Sequence, residues 1–291
     1  MNPSEGFADA NHIRLHYLTW MPPSEGHVGF PPLVLLHANG FLARLWQPVA
    51  ERLARRYHVF AYDIRGQGDS DKPDPADASN YHWQKLAGDL RAFLDVFALR
   101  RVPVVGHSSG GATAAYLAGT HPEYFSRLVL IEPIIMPPQF AAVPGPRNQM
   151  AEDARRRRQV WPSADAMFEA YRDRPTFARW RPEVLRLYAE FGTFRREDGQ
   201  VQLKCSGDVE ARMFENSVSL NIWDVLPDIQ CPALIIKGRH TDAFLGQIVE
   251  EVAAHIPGAR HLTIEDAGHL VPMEQPERLS AVIEQFLAET P

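Results

Sequence analysis

The chain has 291 residues, 45% of them hydrophobic, with a formal net charge of −6. That length and apolar content allow a large core plus an inserted subdomain, and no run reaches the roughly 20 apolar residues of a membrane-spanning helix. The negative balance disfavours nonspecific nucleic-acid binding.

In chain order, Gly6 to Trp20 reads as two antiparallel strands with a turn near Asn11, from the alternation in Ile13-Arg14-Leu15-His16-Tyr17-Leu18. Apolar runs predict further strands near 33–37, 58–62, 102–106, 127–132, 233–237 and 260–265. Helical patterns lie between them near 43–56, 81–99, 110–120, 246–256 and 276–289. The alternation implies an α/β fold, a mostly parallel central sheet with helices on both faces. Ligands on such sheets bind beyond the carboxyl ends of the strands.

The alternation breaks between 134 and 227. Pro133, Pro137, Pro138, Pro144 and Pro146 mark a linker at its entry. Helical stretches follow near 148–161, 163–173, 182–191 and 208–217, with a small hairpin expected around Asp198-Gly199. This predicts an inserted, mainly helical cap over residues 134–227 and an α/β core formed by residues 1–133 and 228–291. A cap excludes water and shapes the pocket. Its aromatic residues, Trp161, Phe168, Tyr171, Phe177, Trp180, Tyr188, Phe191 and Phe194, are expected mostly to hold cap to core, with some lining an apolar pocket. Arg155-Arg156-Arg157-Arg158 point around a helix and are read as a solvated run with acidic neighbours such as Glu152 and Asp153, against the alternative of an anion-binding patch. Cys205 and Cys231 have neither metal-ligand spacing nor a disulfide framework, and are read as free thiols of a reducing compartment. With no signal-peptide pattern in Met1–Phe7, the expected location is cytoplasmic. No H-E-x-x-H and no phosphate loop is present, so no metal and no cofactor is expected.

The chemistry is concentrated in Gly106-His107-Ser108-Ser109-Gly110, a G-x-S-x-G between an apolar strand and a helix-like run. That is the sequence form of a nucleophile elbow: the glycines keep Cβ atoms out of a sharp bend and leave the hydroxyl at a helix N-terminus. A serine hydroxyl needs a histidine base and a carboxylate to orient it, expected in the chain order Ser, Asp or Glu, His. His269, on the loop after the last predicted strand, is the expected base. For the acid, Asp242 follows the strand Pro232–Gly238 and is preferred; Glu132, at the end of Leu128-Val129-Leu130-Ile131, is the rival. Asp266 is too close to His269 in sequence and reads as a turn residue. Oxyanion donors are expected at the main-chain N–H of Ser109 and, on the loop His37-Ala38-Asn39-Gly40, at Asn39 or Ala38.

Together these residues resemble the α/β-hydrolase fold superfamily over nearly the whole chain. Leu36-His37-Ala38-Asn39-Gly40-Phe41 is similar to its oxyanion loop, Asp63-Ile64-Arg65-Gly66-Gln67-Gly68-Asp69-Ser70 to its D-x-R-G-x-G-x-S loop, and Ala267-Gly268-His269 to its base loop. The D-x-R-G loop is read as architectural, with Asp63 and Arg65 bracing its neighbours. Dehalogenases and epoxide hydrolases of that superfamily carry aspartate at the nucleophile position, which Ser108 argues against. The expected function is a serine hydrolase acting on a small to medium, largely apolar ester. Lactone, thioester, amide or C–C hydrolysis on the same triad, or ligand sensing by a hydrolase-like receptor, stand as alternatives.

Overall fold

The computed structural model describes residues 1–21, 29–137 and 149–289. Its strands are β1 (Ser4–Ala10), β2 (Ile13–Trp20), β3 (Pro32–Leu36), β4 (His58–Tyr62), β5 (Val102–His107), β6 (Phe125–Ile131), β7 (Val160–Trp161), β8 (Thr193–Arg195), β9 (Val201–Leu203), β10 (Ala233–Gly238) and β11 (Arg260–Ile264). Eight of them form one sheet in the order β1-β2-β4-β3-β5-β6-β10-β11. β1 and β2 pair antiparallel, as do β2 and β4; the pairs from β4 to β11 are parallel.

Side-chain alternation explains why helices cover both faces. In β3, Val34 and Leu36 enter one buried cluster while Leu33 and Leu35 enter another; in β5, Val104 and Val105 divide the same way. A strand that is apolar on both faces must be covered on both. On one face lie α2 (Trp83–Val96) with Leu86, Leu90 and Phe93, α3 (Ser109–Thr120) with its alanines, and the later helix Ala243–His255 with Ile248 and Val252. On the other lie α1 (Gln47–Leu53) with Val49 and Leu53, and the final helix Pro276–Ala288 with Leu279, Ile283 and Phe286. The predicted elements of the core are all present. The helix expected over 43–56 is a 3₁₀ turn, Ala43–Trp46, leading into α1.

Between β6 and β10 the chain inserts helices and a small sheet. The linker prolines Pro138, Pro144 and Pro146, and the first residue of the helix expected over 148–161, lie outside the described residues. Then come α4 (Gln149–Arg156), α5 (Ala164–Arg172), α6 (Pro182–Phe191) and α7 (Gly207–Glu215). The expected hairpin is β8–β9, closed by Arg196 to Gln200 with Gly199 at φ +81°, and β7 adds a third strand that the sequence reading lacked. Trp161, Tyr171, Phe177, Trp180 and Tyr188 are buried with Leu42 and Leu45 from the loop after β3 and Met273 from beyond β11. The insertion therefore packs on the carboxyl ends of the strands. Phe191 and Phe194 are exposed instead.

Each of the four consecutive arginines has its own partner. Arg155 pairs with Asp208 and Glu215, Arg156 with Glu152 and Arg157 with Glu210, while the guanidinium of Arg158 lies over the Trp161 ring. Arg157 is the least exposed of them, with 16% of its side chain exposed, so the run is not uniformly solvated.

The D-x-R-G loop is braced as its sequence implies. Asp63 accepts from the Ala43 and Asp69 N–H groups and from His16 Nδ1–H, and Arg65 donates in bidentate fashion to Asp89 at 2.6 Å. Arg65 and Asp89 have side chains only 5% and 2% exposed. Removing one partner strands a buried charge. Asp89→Ala is expected to destabilise the protein by about 3–5 kcal/mol, read from urea unfolding followed by tryptophan fluorescence. A loss below about 1 kcal/mol would mean that Arg65 finds water in the variant and that the pair does not brace the loop.

Candidate active site

β5 ends at His107 and α3 begins at Ser109, so Ser108 makes the whole turn alone. It does so at φ +55°, a conformation that L residues adopt at a cost of about 1–3 kcal/mol. Its own N–H donates to Ile131 C=O at 2.9 Å, and its C=O accepts from Ala112 N–H at 3.0 Å, which hold the bend. The flanking glycines are required by space. A Cβ on Gly106 would lie 2.5 Å from the Gly110 carbonyl oxygen, and one on Gly110 would lie 2.6 Å from that of His37.

Ser108 Oγ lies 3.1 Å from His269 Nε2. His269 Nδ1 in turn lies 3.2 Å from Glu132 Oε2. A hydroxyl, an imidazole and a carboxylate thus stand in series, with Nε2 free to accept the hydroxyl proton while Nδ1–H donates to the acid. The carboxylate at the imidazole is Glu132 and not Asp242, which corrects the preference stated from sequence. Asp242 is exposed and caps the helix Ala243–His255, accepting from the N–H groups of Phe244 at 2.9 Å and Leu245 at 3.3 Å. Glu132 is fully buried directly beyond β6, at φ +46°. Its Oε1 accepts from Gly238 N–H at 2.6 Å, and its Oε2 accepts from Thr241 Oγ–H at 2.9 Å as well as from the imidazole. The strand that leads to Asp242 therefore contributes donors to the carboxylate at the imidazole rather than that carboxylate itself. The order Ser, Glu, His still obeys the expected sequence of the triad.

The loop carrying His269 is held at successive backbone groups. Glu274, 4% exposed in the short helix Val271–Glu274, accepts from Gly268 N–H at 2.6 Å. His107 donates from Nε2 to His269 C=O at 2.8 Å. Sequence reasoning missed Thr241, Glu274 and His107; the one signal for His107 was its place beside the nucleophile.

The expected oxyanion donors lie on two segments in contact. Ser109 is the first residue of α3, so its N–H has no acceptor within the helix. On the loop after β3, Gly40 N–H donates to Gln67 Oε1 and Phe41 N–H to Ala38 C=O, leaving the N–H groups of Ala38 and Asn39 as the loop's candidates. His37 fixes this loop: Nδ1–H donates to Ala38 C=O and Nε2 accepts from Ile64 N–H. Burial holds the His37 imidazole below its usual pKa, so it stays neutral in both roles. The insertion reaches the same loop. Asn39 Nδ2 donates to Glu210 C=O at 3.0 Å, and Tyr188 Oη donates to Gly40 C=O at 3.2 Å.

Among the described residues, His16, Asp63 and Asp69 bring ligand atoms within 4.8 Å of one another, but Asp63 is committed to its loop bonds and Asp69 pairs with Lys204 at 2.5 Å. Both cysteines are free thiols, and burial pushes Cys205 up to about 12, which makes it a poor nucleophile. No described helix is long and apolar enough to cross a membrane.

Three similarities frame this geometry. The chain is 28% identical over 283 residues to N-formylmaleamate deformylase of Pseudomonas putida, covering 97% of this chain and 96% of that protein. It is 24% identical over 263 residues to (E)-2-((N-methylformamido)methylene)succinate hydrolase of Acinetobacter baylyi, covering 89% and 91%. The crystal structure of the enol-lactonase from Burkholderia xenovorans superposes with a TM-score of 0.76 at 25% identity, covering 98% of this chain and all of that one. The family model for the alpha/beta hydrolase fold matches residues 31–276, and with the elbow, the sheet order and the serine–histidine–glutamate series in place, this chain belongs to that family and is a hydrolase.

Proposed function

We propose that this hydrolase cleaves the C–N bond of a small, carboxylate-bearing N-acyl compound through an acyl-enzyme on Ser108. The observation that carries the reading is the continuous series from Ser108 Oγ through His269 to Glu132. In the reaction, Ser108 Oγ attacks the acyl carbon as His269 Nε2 takes its proton. Glu132 holds the imidazole by Nδ1–H and stabilises the imidazolium. The N–H groups of Ser109 and of Asn39 or Ala38 receive the oxyanion. His269 then gives its proton to the leaving nitrogen, the C–N bond breaks, and a water activated by the same base releases the acyl group.

The bond type is supported by the two full-length relatives, whose names describe an N-formyl and an N-methylformamido compound, each with an anionic acid portion. These names support an amide over the apolar ester expected from sequence. The insertion between β6 and β10, residues 134–227 by sequence, is proposed as a cap whose side chains reach the oxyanion loop. A lactone is the second reading, supported by the likeness to the enol-lactonase and by the shared need for a nucleophile and oxyanion donors.

The substrate reading is tested with a panel of N-formyl and N-acyl amides, with and without a free carboxylate, beside lactones and alkyl esters. Carboxylate-bearing amides are expected to lead in kcat/KM by roughly tenfold or more over their neutral analogues. A lead for lactones or neutral esters would overturn it. The acid is tested by two amide substitutions. Glu132→Gln is expected to lower kcat by about 10³–10⁴, because a carboxamide beside Nδ1 favours the wrong tautomer and cannot balance the imidazolium. Asp242→Asn is expected to leave kcat within about threefold, since asparagine caps a helix as well as aspartate does. The reverse ranking would return the role to Asp242.

A further inference from the structure

His107 stands directly before the nucleophile, and no step of the proposed reaction uses it. Its side chain is fully buried at the end of β5. Nε2–H donates to the carbonyl of His269 itself, at 2.8 Å, and the two rings lie 5.4 Å apart at 42°. Nδ1 is buried with no hydrogen-bond partner. An unpaired buried acceptor costs about 1–3 kcal/mol, which an apolar residue of similar size would avoid. The bond made by the other nitrogen is what sets imidazole apart from such a residue here.

That bond joins two points that matter to one transfer. One end is the residue whose next neighbour is the nucleophile; the other is the main chain of the base. Ser108 Oγ and His269 Nε2 are therefore linked twice, once through the reacting contact at 3.1 Å and once through His107. From the far side of the loop, Glu274 grips Gly268 N–H. We infer that His107 is a positioning residue that holds the base in register with the nucleophile. The inference rests on the reading of Ser108 and His269 as nucleophile and base. Burial, and then the neighbouring His269, push the His107 imidazole down to about 3. It is thus neutral at any working pH and adds no second cation beside the imidazolium formed in catalysis. Amide cleavage depends on this register twice, because the same Nε2 takes a proton from oxygen and delivers it to nitrogen.

The test compares His107→Gln with His107→Asn in the full chain. A glutamine carboxamide nitrogen falls near the place of Nε2 and can still reach the His269 carbonyl. Asparagine stops near the place of Nδ1 and cannot. Both are neutral, polar and smaller than histidine, so a purely packing role predicts similar losses. The readout is covalent inactivation by a fluorophosphonate, with the maximal rate and the half-saturating concentration separated and thermal unfolding followed in parallel. We expect Gln to stay within about fivefold of the unsubstituted protein, and Asn to lose about 100-fold in the maximal rate with half-saturation unchanged, the scale of a 1 Å misplacement. Equal rates for the two variants, or a loss confined to half-saturation, would overturn the inference. If the Asn variant does not fold, His107→Ala with added imidazole replaces it: recovery of the maximal rate supports the bond, and no recovery overturns it. Failure of the unsubstituted protein to react at all would remove the nucleophile reading, and this inference with it.

Discussion

The buried carboxylate of Glu132 is the constraint on which the site depends. A carboxylate taken wholly out of water is tolerated only when its lone pairs are filled by good donors. Here they come from Gly238 N–H at the end of β10, Thr241 Oγ–H on the following loop, and His269 beyond β11. The backbone of Glu132 adds its own ties, with its N–H on Ile236 C=O, while Ile131 C=O accepts from Ser108 N–H. One side chain and its immediate backbone thus fix the ends of four neighbouring strands, β5, β6, β10 and β11, in one register. The series from Ser108 through His269 to Glu132 is a consequence of how those ends are joined. It is also tight: a Cβ on Gly238 would lie 2.2 Å from the Gly268 carbonyl oxygen, so the strand carrying the acid's donors abuts the loop carrying the base.

Much of this was legible in the sequence, and for physical reasons. Strands buried on both faces read as apolar runs, and the covering helices carry their own periodicity, so the core elements stand close to where their residues placed them. Ser108 was legible because an elbow demands glycine at Gly106 and Gly110, where any Cβ would strike backbone. His269 was legible from its place after the last strand. The acid was not. Glu132 and Asp242 both follow strands of the sheet, and the choice between them depends on which carboxylate turns inward. Glu132 turns in through a positive φ and a set of donors supplied by other strands, neither of which leaves a mark in local sequence. Asp242 caps the helix Ala243–His255, a role that its position after a strand concealed. The same limit applies to the arginine run, where Arg157 is half-buried against Glu210 from a distant helix.

The proposed cap does more than cover the strands. Tyr188 and the main chain of Glu210 bond to Gly40 and Asn39, and Arg157 joins those two cap helices by pairing with Glu210 at 2.7 Å and donating to Tyr188 Oη at 3.3 Å. Burial raises the pKa of Glu210 and the Arg157 charge opposes that rise, so the pair belongs to the packed interface rather than to solvent. On this account the loop that supplies one oxyanion donor is held from below by His37 and Gln67 and from above by the cap. In the proposed reaction, substrate selection by the cap and stabilisation of the oxyanion would share a physical support.

The proposed chemistry stands on Ser108 as a nucleophile activated by His269. Mapping a fluorophosphonate adduct by peptide mass spectrometry tests it most directly. A single adduct is expected on Ser108, absent from Ser108→Ala while that variant keeps its fold. An unmodified protein, or an adduct on Ser109 or any other residue, would contradict it.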